Sequence, residues 1–247
     1  MDRLVHTAYS GLRGAMLRQT VTANNLANTS TTGFRGEMEV AESRWVIGAG
    51  LPSRTFASEG VIGADMRGGS VTTTGRPLDI ALSNDALLAV TADNGDEAYT
   101  RRGDLTVGDD GRLVTGDGTP VLGDGGAIVV PSHDAMRIDS DGTLWIVPRG
   151  GDPDVPQRVD RLRLVNPADA AVVKGTDGLF RVRGGGALPA DPDARLTTGA
   201  LEGSNVDPTA ALVAMIEASR SWDNQMKMLT TARDLDSAAT DLMRMPS

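Results

Sequence analysis

The sequence predicts an α+β protein in which N- and C-terminal helices pack together as a helical, coiled-coil-like domain, with a mainly antiparallel β middle domain between them. Two observations predict this arrangement. Apolar side chains recur every three or four residues near both ends of the chain, which is the spacing of an amphipathic helix. Between the ends lie most of the 30 Gly and 12 Pro residues, interleaved with short β-rich runs. We expect residues 1–34 and 207–247 to form the helical domain, residues 35–73 an extended connector, and residues 74–206 the β domain.

The N-terminal helix has a thin apolar face. Its members recur at spacings of four and three residues: Leu4, Ala8, Leu12, Ala15, Gln19, Thr22 and Leu26. Most of them are small or polar, so this face buries too little apolar surface to fold alone. We expect the helix to end near Asn28, because the Thr- and Ser-rich run that follows competes with helical hydrogen bonding and ends in Gly33.

Residues 35–73 lack the patterns of either domain. Glycines recur through the segment, at Gly48, Gly50, Gly60, Gly63, Gly68 and Gly69. The segment shows neither a sustained hydrophobic period nor a dense apolar face. We therefore interpret it as an extended connector.

Short β-rich runs recur in the middle of the chain, at Leu78–Leu82, Leu87–Thr91, Ile128–Val130 and Leu144–Val147. Asp-Gly pairs recur between such runs, and this dipeptide favours tight hairpin turns. The pairs are Asp110-Gly111, Asp117-Gly118, Asp124-Gly125, Asp141-Gly142 and Asp177-Gly178. Short strands joined by hairpin turns predict an antiparallel β domain.

The C-terminal helix has the strongest helical pattern in the sequence. Asp207 is a suitable N-cap, and Pro208 suits the first helical turn. The helical stripe then alternates steps of three and four residues, at Leu212, Met215, Ser219, Trp222, Met226 and Leu229. Two terminal helices with one apolar stripe each most simply pack on each other or on neighbours in an assembly.

Composition argues against several classes of function. The formal net charge is −9 and 3% of the residues are aromatic, so the chain repels phosphate backbones and has few side chains for base stacking. Without Cys, it forms no disulfide, thiolate nucleophile or Cys-ligated metal site. The longest apolar run, Ala210–Ile216, is far shorter than the ~20 residues of a membrane-spanning helix. Residues 1–34 lack the apolar core of a cleaved signal peptide. We expect no nucleic-acid binding, no membrane insertion and no cleaved signal.

The sequence contains no pattern of a catalytic or metal site. Its two histidines, His6 and His133, have no second ligand at helical spacing, and no nucleophile elbow, Walker loop or dinucleotide fingerprint is found. The run Asp139–Gly142 alternates acidic residues before Gly, as a calcium loop does. That register places Arg137 and Pro148 at the first and twelfth loop positions, where carboxylates are required. We expect no enzyme activity and no catalytic, cofactor-binding or metal-binding residue.

Motifs at opposite ends of the chain resemble the signatures of bacterial flagellar rod and hook proteins. The N-terminal motif is Asn24-Asn25-Leu26-Ala27-Asn28 followed by Thr32-Gly33-Phe34-Arg35. The C-terminal motif is Glu202-Gly203-Ser204-Asn205-Val206-Asp207, then Met215-Ile216-Glu217 and Gln225-Met226-Lys227-Met228-Leu229. Shorter runs extend the resemblance through the middle: Arg76–Leu82, Tyr99–Gly103, Gly111–Val114 and Pro120–Gly123. The resemblance therefore covers nearly the whole chain.

Three further runs, together with a length near 250 residues, resemble the proximal-rod members of that family. They are Met1–Leu4, Leu51–Thr55 and Asp85–Val90. Distal-rod members usually have Gly-Phe-Phe where this chain has Ala86-Leu87-Leu88, and this difference favours the proximal rod. A distal-rod protein is the first alternative. A secreted β-rich carbohydrate-binding or hydrolase module is a second alternative. It accounts for the β domain and the acidic surface, but not for the paired terminal helices.

The resemblance implies a structural subunit of the flagellar basal-body rod, which polymerises with its own copies and other axial proteins into a drive shaft that transmits torque. It also implies export through the flagellar export apparatus, without a cleaved signal peptide, to a rod that crosses the periplasm. An open helical array needs heterologous contacts, which the terminal stripes can supply. The predicted assembly interface comprises Leu4, Leu12, Asn24, Asn25, Leu26, Asn28, Phe34, Leu212, Met215, Trp222, Met226 and Leu229. No cofactor is implied.

Overall fold

The computed structural model describes residues 2–45, 55–167 and 170–244. The chain divides into two compact units. Unit 1 contains Met1–Ala27, Glu37–Ile62 and Asp207–Ser247, and unit 2 contains Asn28–Gly36 and Gly63–Val206. The short stretch Asn28–Gly36, here called the junction segment, therefore leaves unit 1 and returns to it.

Unit 1 consists of two long helices and a two-stranded sheet. Helix α1 spans Asp2–Ala27 and helix α2 spans Pro208–Arg244, and the two helices pack against each other. Strands β1 (Glu37–Trp45) and β2 (Thr55–Ala64) form the sheet, and β1 lies against α1. The predicted terminal helices are confirmed.

Side-chain caps explain where the two helices end and begin. Asp207 Oδ1 accepts hydrogen bonds from the N–H groups of Thr209 (2.7 Å) and Ala210 (3.2 Å), so it is the N-cap of α2, as predicted. Beyond the end of α1, Thr31 donates its N–H to Asn28 O (3.2 Å) and its hydroxyl to Asn28 Oδ1 (3.0 Å). This turn ends the helix beside Asn28, where the sequence predicted.

The described part of unit 2 is built from short strands, numbered β3 to β18 in chain order. They are β3 (Val71–Thr73), β4 (Ile80–Leu82), β5 (Leu87–Thr91), β6 (Glu97–Thr100), β7 (Leu105–Val107), β8 (Leu113–Thr115), β9 (Leu122–Gly123), β10 (Gly126–Ala127), β11 (His133–Ile138), β12 (Thr143–Pro148), β13 (Gln157–Arg161), β14 (Leu164–Val165), β15 (Val172–Lys174), β16 (Phe180–Val182), β17 (Leu196–Thr198) and β18 (Ala200–Glu202). The largest sheet has the order β14-β5-β6-β16-β15, a second has the order β11-β12-β13, and the others are two-stranded. Every strand pair of unit 2 with a defined register is antiparallel, as predicted.

Strand β5 lies between two hydrophobic clusters. Leu88 and Val90 belong to the larger cluster, whereas Leu87 and Ala89 belong to the smaller one. Successive side chains of a strand point to opposite faces of its sheet, so a strand that is apolar at every position is covered on both faces. This explains why Leu87–Thr91 has no alternating polar residues.

The Asp-Gly pairs form turns, as predicted, but one pair uses the next residue. Positive φ angles occur at Gly111, Gly118, Gly142 and Gly178. In each of these turns the glycine N–H bonds to the carbonyl three residues earlier. At the pair Asp124-Gly125, the positive φ falls on Gly126, which begins β10.

Two parts of the β prediction need correction. Ile128–Val130 is not a strand: Ile128 N–H bonds to Val121 O and Val130 N–H to Gly111 O, so the run crosses between two other segments without a continuous ladder. Residues 35–73, expected as an extended connector, contain β1, β2 and β3. The pairing of β3 comes from β18, far along the chain, and all three β3 side chains are exposed, so no local apolar pattern marks this strand.

Replacing Leu88 by Ala tests the core of unit 2. Leu88 is fully buried in the larger cluster, so we expect a loss of about 2–5 kcal/mol in the free energy of unfolding. Denaturant unfolding followed by circular dichroism measures it. The control Val129→Ala changes a side chain that is 57% exposed and should stay within about 0.5 kcal/mol of the parent. Equal losses in both variants would contradict this assignment of the core.

Candidate assembly site

Helix α2 has a packed face with heptad-like spacing. Its buried and half-buried residues, among those whose side chains are described, are Ala211, Ala214, Met215, Ala218, Ser221, Trp222, Gln225, Leu229 and Ala232. Most of these side chains are small, which lets helices approach closely. On α1, a Cβ atom placed on Gly11 would lie 2.9 Å from Gln225 Oε1. Gly11 therefore leaves room for the end of the Gln225 side chain between α1 and α2.

The predicted α2 stripe divides between two faces. Met215, Trp222 and Leu229 lie on the packed face, whereas Leu212 is 50% exposed and Met226 is 42% exposed. The prediction chose the larger apolar side chains at positions 212 and 226. Packing in unit 1 instead uses the residue one position earlier: the Ala before Leu212 and the Gln before Met226.

An apolar surface remains exposed on the first turns of α2. Leu212, Val213 and Ile216 are 50%, 51% and 54% exposed, and we call these three residues the outer α2 surface. Their positions in the helical repeat place them together on the side away from the packed face. Tyr9 and Met16 are exposed large hydrophobics of α1. Exposed apolar side chains clustered on one face make this surface the candidate for an assembly contact.

Asn24 and Asn25 connect the end of α1 to the start of β1. Asn25 donates its side-chain amide to Glu37 O (3.0 Å) and accepts the Glu37 N–H at Oδ1 (2.7 Å). Asn24 Nδ2 donates to Glu37 Oε1 (2.6 Å). These bonds hold together the two points of unit 1 between which the junction segment runs. The asparagines thus act inside the subunit.

Within unit 2, the junction segment depends on a glycine. Gly33 has a φ of +66°, and a Cβ placed on it would lie 2.5 Å from the backbone carbon and oxygen of Arg101. Its N–H donates to Glu202 O at 2.7 Å. Only glycine fits this position without strain, since a side chain would meet backbone atoms that cannot move aside.

A buried ionic cluster lies beside this glycine. Glu202, at 1% exposure, accepts a hydrogen bond from Arg35 Nη2 at Oε1 (2.7 Å), and from Arg101 Nε at Oε2 (2.9 Å). Arg101 Nη2 donates to the same Oε2, and the Gly69 N–H donates to Oε1 at 2.8 Å. Arg35 Nε and Nη1 have no hydrogen-bond partner among the described residues. One carboxylate thus serves two buried guanidinium groups.

The electrostatics of the cluster favour the ionised carboxylate. Burial is the largest influence on the pKa of Glu202 and favours its neutral form. The Arg101 charge and the hydrogen bonds from Arg35 and Gly69 together outweigh burial, so the pKa lies below its ordinary value of 4.5. For Arg101 the balance is opposite: burial lowers the pKa of its guanidinium despite the nearby Glu202.

Arg101 also joins the cluster to the turn between β4 and β5. Its Nη1 donates to Asn84 O and Ala86 O at 2.7 Å, and its Nη2 donates to Leu82 O at 2.9 Å. Every guanidinium nitrogen of Arg101 therefore has an acceptor. Such bonds compensate for the cost of burying a charge.

Asn205 and Lys174 bind the far end of the junction segment. Asn205 Oδ1 accepts the Gly36 N–H at 2.8 Å. Lys174 Nζ donates to Arg35 O at 2.9 Å and lies 3.6 Å from the centre of the Phe34 ring. Phe34, predicted as an assembly residue, is half-buried beneath a cation of its own subunit.

The other predicted interface residues are half-buried where their side chains are described. Leu12, Leu26 and Asn28 are half-buried, and the side chain of Leu4 lies outside the described part. Sequence reasoning missed Arg101 and Glu202 as partners, although both belong to the family-like motifs. The available signal was that each of the two motifs contains one of these charged residues. The two residues are 101 positions apart, so no local pattern pairs them.

The described residues include no group of three or more His, Asp or Glu placed to hold a metal ion. His133 Nδ1 lies 2.9 Å from Pro131 O. None of the described helices combines the length and the apolar character needed to cross a membrane.

Three family descriptions match this chain. "Flagella basal body rod protein" matches residues 6–35, "Flagellar hook protein FlgE/F/G D1 domain" matches residues 81–146, and "Flagellar basal body rod FlgEFG protein C-terminal" matches residues 197–242. The first covers most of α1 and the junction segment, and the last covers β17, β18 and most of α2.

Whole-length relatives carry similar names. The chain is 40% identical to the flagellar basal-body rod protein FlgF of Salmonella typhimurium, over 99% of this chain and 100% of that protein. It is 39% identical to FlgF of Escherichia coli over the same shares. It is 29% identical to the flagellar basal-body rod protein FlgG of Bacillus subtilis, over 99% of this chain and 100% of that protein.

Replacing Gly33 by Ala tests the docking of the junction segment. The Cβ would overlap the Arg101 backbone, so we expect a loss of at least about 1–3 kcal/mol and faster hydrogen exchange in the junction segment. Thermal unfolding and exchange measured by mass spectrometry report both. The control is Gly75→Ala, at a φ of +74° with open space around it. If both variants behave alike, backbone strain alone accounts for the effect and the close contact does not matter.

Replacing Glu202 by Gln tests the buried cluster. Removing the carboxylate leaves two buried guanidinium groups without a counter-charge, so we expect a loss of about 3–5 kcal/mol at pH 7. The pKa of Glu202 is lower folded than unfolded, so its stabilisation is complete above about pH 4.5 and is lost as the pH falls through the folded value. Thermal unfolding from pH 7 to pH 3 should show the difference between parent and variant shrinking below pH 4.5. A difference that does not change with pH would contradict this role. The control Asp193→Asn, at an exposed carboxyl, should stay within about 0.5 kcal/mol of the parent at pH 7.

Proposed function

The chain belongs to the FlgF family of flagellar basal-body rod proteins and is a structural subunit of that rod rather than an enzyme; we propose that its place is the proximal rod. The observation that carries the conclusion is 40% identity over 99% of the chain to a FlgF protein. The FlgG relative matches at 29%. The higher identity to the FlgF protein than to the FlgG protein supports the proximal rod over the distal-rod alternative.

The rod subunit assembles with other rod proteins, and we propose that the outer α2 surface is one of its contacts. Its three apolar side chains are about half exposed in the free subunit. Fully burying an exposed Leu, Val or Ile side chain contributes about 1.5–3 kcal/mol. Covering the exposed half of one of these side chains contributes roughly half as much, so a neighbour that covers the surface stabilises it. In an open helical array, this surface would meet a different surface of the next subunit.

We propose that α1 and α2 pack in a coiled-coil-like manner. The heptad-like spacing of the packed α2 face and the close approach at Gly11 support this. The interface residues then have two roles. Met215, Trp222 and Leu229 hold the helix pair together, whereas Leu212 and Met226 contact neighbours.

In this proposal, the junction residues make each subunit rigid and do not form contacts between subunits. Asn24, Asn25 and Phe34 are engaged inside the subunit. A shaft that transmits torque needs subunits that do not deform, and the bonds of the junction segment resist deformation in each unit. Leu4, Leu12, Leu26 and Asn28 stay in the proposed interface.

We further propose export through the flagellar export apparatus without a cleaved signal peptide, and a position in the part of the rod that crosses the periplasm. The similarity to flagellar rod proteins supports the first point. A Cys-free chain suits the second, since no thiol is exposed to an oxidising compartment.

Replacing Leu212 by Glu tests the outer α2 surface. A charge there resists burial under a neighbour, so we expect loss of swimming and of the subunit from purified basal bodies. Because Leu212 is half exposed, the unfolding free energy of the purified subunit should change by less than about 0.5 kcal/mol. Motility halos and subunit content at matched expression are the measurements.

Two comparisons sharpen this test. The control Asn224→Glu adds the same charge at an exposed polar position of α2 and should assemble normally. Trp222→Glu, on the packed face, should instead destabilise the helix pair itself. Normal incorporation of the Leu212→Glu subunit would show that this surface is not an assembly contact.

A further inference from the structure

Among the described strands, β3 has a partner on one edge and none on the other. It pairs antiparallel with β18 in a two-stranded sheet, with Val71 opposite Glu202 and Thr73 opposite Ala200. All three β3 side chains are exposed, and Val71 is 60% exposed. The strand is thus accessible along its other edge.

Hydrogen bonds at both ends of β3 define which groups face β18. Gly203 donates its N–H to Ser70 O, and Thr74 donates its N–H to Gly199 O, both at 2.8 Å. In an antiparallel ladder, hydrogen-bonded and non-hydrogen-bonded pairs alternate. Residues 70 and 74 bond to β18 and its flanks, so the intervening bonded position is Thr72.

Val71 and Thr73 therefore direct their N–H and C=O groups away from β18. In the described part of the chain, none of these four groups has a hydrogen-bond partner. They repeat at the two-residue spacing of a strand. The partner that matches such a row of donors and acceptors is another extended backbone.

The charge pattern at this edge favours a second copy as the partner. The chain carries a net charge of −9, so copies repel one another over most of their surfaces. The run Ser70–Gly75 contains no charged residue. Its β-branched Val and Thr side chains favour strand pairing. Two acidic copies can therefore meet here without like-charge repulsion.

We propose that the β3 edge binds an extended strand of a second copy of this chain, adding a main-chain contact between subunits. This inference rests on the proposed function, since the rod is where copies meet. It adds a contact on unit 2 to the helical contact proposed for unit 1. Backbone pairing also provides a defined register between subunits, which apolar helix contacts do not.

Replacing Thr73 by Pro tests the contact with little disturbance of the subunit. Proline removes the outward N–H and its ring obstructs a second strand, while the bonds at Thr72 remain. In a strain without the chromosomal copy, we expect about a tenfold drop in incorporation into basal bodies, because a lost hydrogen bond is worth about that factor. The control Thr73→Ala keeps the N–H and should incorporate normally.

Thermal unfolding of the purified full chain separates misfolding from lost contact. If the Thr73→Pro variant unfolds at the same temperature as the Thr73→Ala control and still incorporates normally, the proposal is wrong. If Thr73→Pro itself unfolds, Val71→Pro, which removes the other outward N–H, takes its place with Val71→Ala as control. Equal incorporation in that pair would also overturn the proposal.

A photo-cross-linker in place of Val71 identifies the occupant. A product of twice the 25.8 kDa chain mass is expected in basal bodies. A product with a different protein, or none, overturns the second-copy assignment. Failure of this inference leaves the Leu212→Glu defect intact, whereas normal rods in a strain lacking the whole chain would refute the proposed function itself.

Discussion

The buried carboxylate of Glu202 is the interaction on which the rest of unit 2 depends. It binds Arg35 in the junction segment and Arg101 after β6, and it accepts the main-chain N–H that precedes β3. Arg101 in turn bonds to the carbonyls between β4 and β5. Two buried guanidinium groups thus share the carboxylate of Glu202. Segments distant in the chain are thereby held at one point.

The junction segment is held at its ends and along its body by different means. In unit 1, Asn25 closes its two ends through both main-chain groups of Glu37. In unit 2, Gly33 and Arg35 dock its body against Arg101 and Glu202. The junction segment is thus fixed within unit 2, and the residues that flank it are fixed within unit 1.

The helices show a different balance between folding and assembly. Four of the nine residues of the packed α2 face are Ala, including its two buried members, Ala211 and Ala218, whereas Leu212, Val213 and Ile216 stay exposed. Small side chains bring the helices close but bury little apolar area per residue. The larger apolar side chains remain available to neighbours. Their exposure is the basis of the contact proposed for the outer α2 surface.

Local chemistry in the sequence determined several elements. The cap at Asp207, the end of α1 near Asn28, strand β5 and most Asp-Gly turns follow from side chains within a few residues. So did the family motifs, because their residues are contiguous. About half of the predicted α2 stripe also lies on the packed face, since helical spacing restricts which residues share a side.

Only the tertiary structure decided the roles of those residues. Arg35 and Glu202 are 167 positions apart, and no period or propensity links them; burial selected their pairing. The packed α2 face includes Ala211 and Gln225 rather than Leu212 and Met226, and the Gln225 side chain lies against Gly11 of α1, a contact that spacing in α2 alone does not define. Strand β3 forms by pairing with β18, and no local sequence pattern predicts that pairing. The spacing of residues in helices and strands limits which side chains can share a face. Contacts between segments that are distant in the chain decide which of those faces is buried.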